Sequence, residues 1–150
     1  MLEIYTDGAS RGNPGRGGYG VILKYKDQYK ELSEGFRLTT NNRMELLACI
    51  IGLEAIKVPN ISVTIFSDSK YVVDSIEKGW VFSWIKKPNF GGKKNKDLWV
   101  RFLKVYQNHK VKFIWIKGHN EHKENERCDI LATTAADGKD LKIDIGYENC

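Results

Sequence analysis

Three strand patterns crowd into the first 38 residues, and nothing else in the chain constrains its fold as strongly. Residues 2–6 (Leu-Glu-Ile-Tyr-Thr) alternate, "YGVILKYK" at 19–26 follows, and "QYKELSEGFRL" at 28–38 comes next, with Asp27 near the turn. Parallel neighbours need a crossover of a dozen or more residues, usually helical, and no helical pattern separates these runs. They predict an antiparallel meander. Beyond it the period changes. From Met44 to Ile56 apolar residues recur at helical spacing (Met44, Leu47, Ala48, Ile51, Ala55) until Pro59 ends the element. A short buried strand is predicted at 61–66, helices at 69–78 and 96–109, a fifth strand at 111–116 and a closing helix at 124–136. Three strands followed by helix–strand–helix–strand–helix describe a mixed α/β sheet covered by helices. With 150 residues, no internal repeat and no linker, the chain reads as one domain over 1–150, with 138–150 a polar C-terminal tail.

The connection after the first strand, "TDGASRGNPGRGGYG" at 6–20, contains Gly15-x-Gly17-x-x-Gly20, the spacing of a dinucleotide-binding turn. That motif needs a helix opening on the glycines, because the helix N-terminus holds the phosphate charge. Here a β-branched and aromatic run follows, so a strand is predicted and the cofactor reading fails. Gly12-Asn13-Pro14-Gly15 is a turn string, and the stretch reads as a wide hairpin connection whose N–H groups and Asn13 can still meet a ligand.

Charge is uneven. Residues 78–104 carry eight basic residues and one acid, a net +7, while the other 16 basic and 18 acidic residues net −2. A solvated lysine face is one reading. The other is a polyanion-binding face, supported by Trp80, Phe82, Trp84, Phe90 and Trp99 interleaved with the lysines. No apolar run is long enough to span a bilayer, and the N-terminus enters a strand directly, so neither a membrane span nor a signal peptide is expected. Three cysteines (Cys49, Cys128, Cys150) without close pairing argue for a reducing, cytoplasmic setting rather than a disulfide framework.

Four acids sit beside apolar elements: Asp7 closing the first strand, Glu45 in the first turn of the first helix, Asp68 after the fourth strand, and Asp129 within "RCDILA". Each has an ordinary explanation. Asn42 and Glu45 have capping-box spacing, Asp68 suits an N-cap, Asp7-Gly8 opens turns, and Asp129 lies in the N-terminal half of its helix. Clustered over one sheet they would instead repel and raise one another's pKa values, and a hard divalent cation such as Mg²⁺ relieves that. Periodicity alone does not decide between these readings. His119 and His122 lie shortly before Cys128, but no second Cys or His pair has structural-zinc spacing. A loop histidine of this kind is either a surface residue or a proton shuttle beside a metal–carboxylate site.

In this order, "IYTDGASRGNPGRGGYG", "TTNNRMELLACIIGLEA", "IFSDSKYVV", the basic stretch ending "KKNKDLW" and "IWIKGHNEHKENERCDILA" resemble the type 1 ribonuclease H family over residues 3–137. The resemblance implies a ribonuclease H-like fold with a five-stranded mixed sheet in the order 3-2-1-4-5. It implies endonucleolytic hydrolysis of the RNA strand of RNA–DNA hybrids, leaving 5′-phosphate and 3′-hydroxyl ends. The family's metal-binding acids fall on Asp7, Glu45, Asp68 and Asp129, serving two Mg²⁺ ions with Mn²⁺ able to substitute, and its flexible-loop histidine falls on His119. Asn13, Asn41 and Asn42 match hybrid-contacting positions, and Thr40 with Asn95 matches a pocket for a DNA-strand phosphate. The basic segment bearing Trp80, Trp84, Lys86 and Lys87 corresponds to a hybrid-gripping protrusion. Lys70 stands where the family often has Gln and adds a charge next to Asp68. The implied molecule is a compact, free-standing monomer with no obligate protein partner. Two rivals share the fold: a non-catalytic nucleic-acid-binding module, which the intact acids oppose, and a resolvase- or transposase-like nuclease, which "TDGASRGNPG" and "GHNEHKENERCD" oppose.

Overall fold

The computed structural model describes residues 1–117 and 122–149. Its meander comprises β1 (Leu2–Ser10), β2 (Gly15–Tyr25) and β3 (Gln28–Thr39), with β2 antiparallel to both β1 and β3. β1 runs four residues past the alternating stretch, so Asp7 lies inside the strand, opposite Gly20, rather than at its end. There follow α1 (Asn41–Glu54), β4 (Ser62–Ser67), α2 (Lys70–Glu77), α3 (Trp80–Trp84), a 3₁₀ turn over Pro88–Gly92, α4 (Lys96–Tyr106), β5 (Lys110–Trp115) and α5 (Lys123–Ala136). β4 pairs parallel with β1, and β5 parallel with β4.

Among the described residues the sheet has six strands, not five, in the order β5-β4-β1-β2-β3-β6. The additional strand, β6 (Leu141–Lys142), pairs parallel with β3 through Gly35↔Leu141 and Phe36↔Lys142. The short helix α6 (Ile145–Glu148) follows. The segment expected to be a polar tail therefore carries two elements. Two paired residues are too few to produce an alternating pattern, and what fixes the segment is a side chain. Asp144 is buried and accepts hydrogen bonds from Thr39 Oγ1 (2.7 Å) and Arg43 Nε (2.8 Å).

Helices cover both faces. On one, α1 lies over β1 and β2 and against α4, closing a core that includes Ile4, Val21, Leu46, Ile50, Trp99 and Phe102. α1 is buried on most sides, which is why its sequence is apolar nearly all round. On the other face, α5 crosses β1, β2 and β3, packing its Cys128 against Tyr5 and Ile22. The strand period of two thus sends Ile4 toward α1 and Tyr5 toward α5. The glycines of the first hairpin permit this close packing. A side chain at Gly20 would collide with the carbonyl of Cys128, and one at Gly18 would sit 2.9 Å from the backbone nitrogen of Ala136. They are contact points for a helix backbone.

Candidate active site

The parallel register of β1 and β4 brings two acids together. Tyr5 pairs with Phe66, and two residues further on lie Asp7, inside β1, and Asp68, just past the end of β4. Tyr5 and Phe66 stack at 4.6 Å, so the rings beneath fix the spacing of the carboxylates above. The third acid comes from α1. Thr40 caps that helix, its Oγ1 accepting from Arg43 N, so Glu45, expected in the first turn, falls just past it, and no acid lies in that turn. Gly8 allows α1 to touch β1 at this level. A Cβ there would overlap the backbone of Met44 and Glu45. Carboxylate oxygens of Asp7, Glu45 and Asp68 all lie within 4.8 Å of one another. Asp129, from α5, completes the group at Asp7, acting on it by charge and by hydrogen bonding.

Such a cluster is electrostatically expensive. Asp7 is 3% exposed and Glu45 6% exposed. Burial, then the charges of Asp68 and Asp129, push the Asp7 pKa up to about 8, against the opposing hydrogen bond from Gly8 N. That N–H donates to Asp7 Oδ1 at 2.9 Å. Burial and then the charges of Asp7 and Asp68 raise Glu45 well above the usual carboxylate range. Buried carboxylates that share a site and compete for protons are the oxygen-donor set a hard divalent cation suits. The donors fit such an ion.

Two local details differ from the sequence reading. Thr40, not Asn42, caps α1, and Ser69, not Asp68, caps α2, with Ser69 Oγ accepting from Val72 N at 3.2 Å. Both acids are thereby released from capping. The asparagines converge: Asn13 Oδ1 accepts from Asn41 N at 3.1 Å, so the hairpin turn meets the start of α1, with Asn42 exposed beside them. Asn95 sits at the N-cap of α4 with a left-handed φ of 65°. It donates through Nδ2 to Tyr71 Oη (3.1 Å) and accepts through Oδ1 from Arg43 Nη1 (3.4 Å).

The basic segment folds as α3, the 3₁₀ turn and the start of α4, anchored by the buried Phe90. Trp80 is 44% exposed with Lys78 Nζ 5.4 Å from its ring centroid, whereas Trp84 packs edge-on against Phe90 and Trp99 under Lys93. Lys86 and Lys87 are exposed. His119 lies outside the described residues. His122 occupies the N-cap position of α5, its ring 6.3 Å from that of Phe66. A separate cavity of about 740 Å³, lined by Leu2, Tyr25, Tyr29, Ile56 and Val58 among others, contains none of the four acids.

Sequence reasoning missed Gly8, Arg43, Asp97, Asp144 and Trp115. Gly8 stood in plain view beside Asp7, but its partner is 37 residues away. Trp115 Nε1 donates to the Asp68 carbonyl at 3.3 Å, and Lys70 Nζ lies 4.6 Å from the Trp115 ring centroid, so the unusual lysine is seated beside the acid site.

Comparison with known proteins agrees with this geometry. The family model described as RNase H matches residues 1–137. Proteins named Ribonuclease H from Syntrophus aciditrophicus and Desulforamulus reducens are 55% and 54% identical, over 98% and 96% of this chain and 87% and 92% of their own lengths. Among solved structures, LC9-RNase H1, a type 1 RNase H with the type 2 active-site motif, superposes with a TM-score of 0.82 at 32% identity, over 99% of this chain and 79% of that one. LC11-RNase H1, solved in complex with an RNA/DNA hybrid, gives 0.71 at 27% identity, over 91% of this chain and 97% of that one. By sequence and by fold, the chain belongs to the RNase H family.

Proposed function

We propose that this chain, as a single ribonuclease H domain over 1–150, is a divalent-metal-dependent endonuclease that hydrolyses the RNA strand of RNA–DNA hybrids. The observation that carries the reading is the convergence of Asp7, Glu45 and Asp68 within 4.8 Å, with Asp129 acting on Asp7. Family membership and the hybrid-bound relative support the substrate class.

Two Mg²⁺ ions, with Mn²⁺ able to substitute, would be held by Asp7, Glu45, Asp68 and Asp129; when bound they supply Lewis acidity to the scissile phosphate, the attacking water and the departing 3′ oxygen. Hydrolysis adds the water oxygen to phosphorus and breaks the P–O3′ bond, leaving a 5′-phosphate and a 3′-hydroxyl. The chain's residues set the conditions. Gly8 N–H holds Asp7 Oδ1, so the carboxylate keeps one orientation through the reaction. Glu45 is the acid we assign to the ribose 2′-OH, the group that separates RNA from DNA. His119 moves the proton between solvent and the reacting oxygens or assists product release. Asn13, Asn41 and Asn42 contact the hybrid from the hairpin turn and the start of α1, and Thr40 with Asn95 takes a DNA-strand phosphate. Trp80, Trp84, Lys86 and Lys87 grip the backbone without regard to sequence. The enzyme acts as a monomer in the cytoplasm, and no helix among the described residues is long and apolar enough to cross a membrane.

The test is cleavage of end-labelled RNA–DNA hybrid, double-stranded RNA and double-stranded DNA, each with Mg²⁺, Mn²⁺ or EDTA. Metal-dependent cleavage confined to the RNA of the hybrid is expected. Hybrid binding without cleavage would overturn the enzymatic reading.

A further inference from the structure

Thr40 and Asn95 come from segments 55 residues apart, and what joins them is Arg43, a side chain 3% exposed. Its guanidinium has five N–H groups, and each has an acceptor. Nε donates to Asp144 Oδ2 (2.8 Å), and Nη2 donates to Asp144 Oδ1 (2.9 Å) and Asp97 Oδ2 (2.7 Å). Nη1 donates to Asp97 Oδ1 (2.8 Å) and to Asn95 Oδ1 (3.4 Å). Two carboxylates therefore grip the guanidinium along two edges and leave its last N–H aimed at the Asn95 carbonyl.

This settles which way the Asn95 amide faces. Flipped, its NH₂ would meet the guanidinium donor to donor. As held, Oδ1 is occupied by Arg43, Nδ2 gives one hydrogen to Tyr71 Oη, and the second amide hydrogen remains for an anion. One of the two carboxylates, Asp144, lies between β6 and α6 in the C-terminal strap that these elements form. It also accepts from Thr39 Oγ1, pinning the residue before Thr40. Gly146 lies against the ion pair so closely that a Cβ would fall on Asp97 Oδ2. Glu148 fastens the end of the strap to Arg37 at 2.8 and 3.0 Å. Gly146 and Tyr147 further wall a cavity of about 720 Å³ whose other lining includes Lys93, Lys94, Asn95 and Lys96.

We infer that the C-terminal strap is a positioning element for substrate: Asp144 and Asp97 act through Arg43 to present Asn95 as a donor, beside Thr40, to a phosphate of the DNA strand. The inference rests on the hybrid-binding reading above. Were the strap purely stabilising, breaking it would lower the melting temperature and leave phosphate discrimination unchanged.

The experiment walks one neutral methylphosphonate linkage along the DNA strand of a hybrid and measures kcat and KM for the wild type, Asn95→Ala, Asp97→Asn and Asp144→Asn, below the melting temperature of each. In the wild type one linkage raises KM by about tenfold, the size of a lost hydrogen bond to a charged group. In Asn95→Ala that penalty vanishes. In Asp97→Asn and Asp144→Asn it falls to about twofold or less, with KM raised on the unmodified hybrid and kcat nearly kept. Should Asp144→Asn fail to fold, Asp97→Asn, at a half-exposed position, carries the test alone. A full wild-type penalty in a folded Asp97→Asn protein overturns the inference while the function stands. No sensitive linkage in an active wild type removes the pocket and the inference together. A wild type that cleaves no hybrid refutes the function itself.

Discussion

Replacing Asp7 with Asn should destroy activity and stabilise the metal-free protein. Asp7 is held at a pKa of about 8 against an ordinary value of 3.8, first by burial and then by Asp68 and Asp129. One pKa unit is about 1.4 kcal/mol, so keeping Asp7 folded at pH 7 costs up to about 4 kcal/mol relative to a side chain without the charge. Sharing of protons with Glu45 reduces this, and ~2–4 kcal/mol is the expected gain for Asp7→Asn in EDTA. For a domain of this size that raises Tm by roughly 4–16 °C. The sign follows from linkage. A carboxyl whose folded pKa is raised favours folding most below its unfolded pKa, and that advantage is lost as pH climbs from about 4 to about 8. Wild type and variant should melt together near pH 4 and diverge toward pH 8, and Mg²⁺ should narrow the gap by stabilising the wild type more. The assay is differential scanning calorimetry from pH 4 to pH 8, with EDTA or Mg²⁺. A gap independent of pH, or an Asp7→Asn protein that melts below wild type at pH 8 in EDTA, would refute the electrostatic account.

Three further outcomes follow from named contacts. Asp144→Ala leaves Arg43 buried and half paired, and should cost about 3–5 kcal/mol in urea unfolding; a loss below about 1 kcal/mol would mean the strap is not anchored there. Gly8→Ala drives a methyl group into the backbone of α1, and should cost about 1–3 kcal/mol and lower kcat about a hundredfold, measured in melts and single-turnover cleavage. Lys70→Gln removes the ammonium seated on Trp115 beside Asp68, and should reduce the slope of log KM against log salt by about one unit with kcat nearly unchanged; an unaltered slope would exclude a phosphate contact at Lys70.

The sequence was most legible where a pattern repeats. Alternation located β1, β-branched and aromatic runs located β2 and β3, and apolar residues at helical spacing located α1, because burial writes itself into composition and period. The acids could be nominated one by one, since a carboxylate beside an apolar run is conspicuous. Their meeting could not be read, because it depends on register: Asp7 faces Asp68 only because Tyr5 pairs with Phe66, and Glu45 joins them only because Gly8 admits α1. Resemblance to a family supplied that convergence. The strap was illegible for a different reason. β6 has two residues and α6 four, neither long enough to show a period, and Asp144 in "KIDIG" looks like any surface aspartate until Arg43 and Thr39 are found around it.

The glycines of the first hairpin show how a local motif can mislead while its residues remain informative. Gly15, Gly17 and Gly20 have the spacing of a phosphate-binding turn, yet Gly20 lies inside β2 under the backbone of α5, and Gly17 lies under Thr39 and Met44. A side chain at Gly20 would lift α5 from the sheet at Cys128, one residue before Asp129. The same close approach that excludes a nucleotide from these glycines brings the fourth acid to Asp7. The glycines thus bear on the acid cluster through the helix that packs on them. A Gly20→Ala substitution should therefore disturb the acid site from the α5 side, as Gly8→Ala disturbs it from the α1 side.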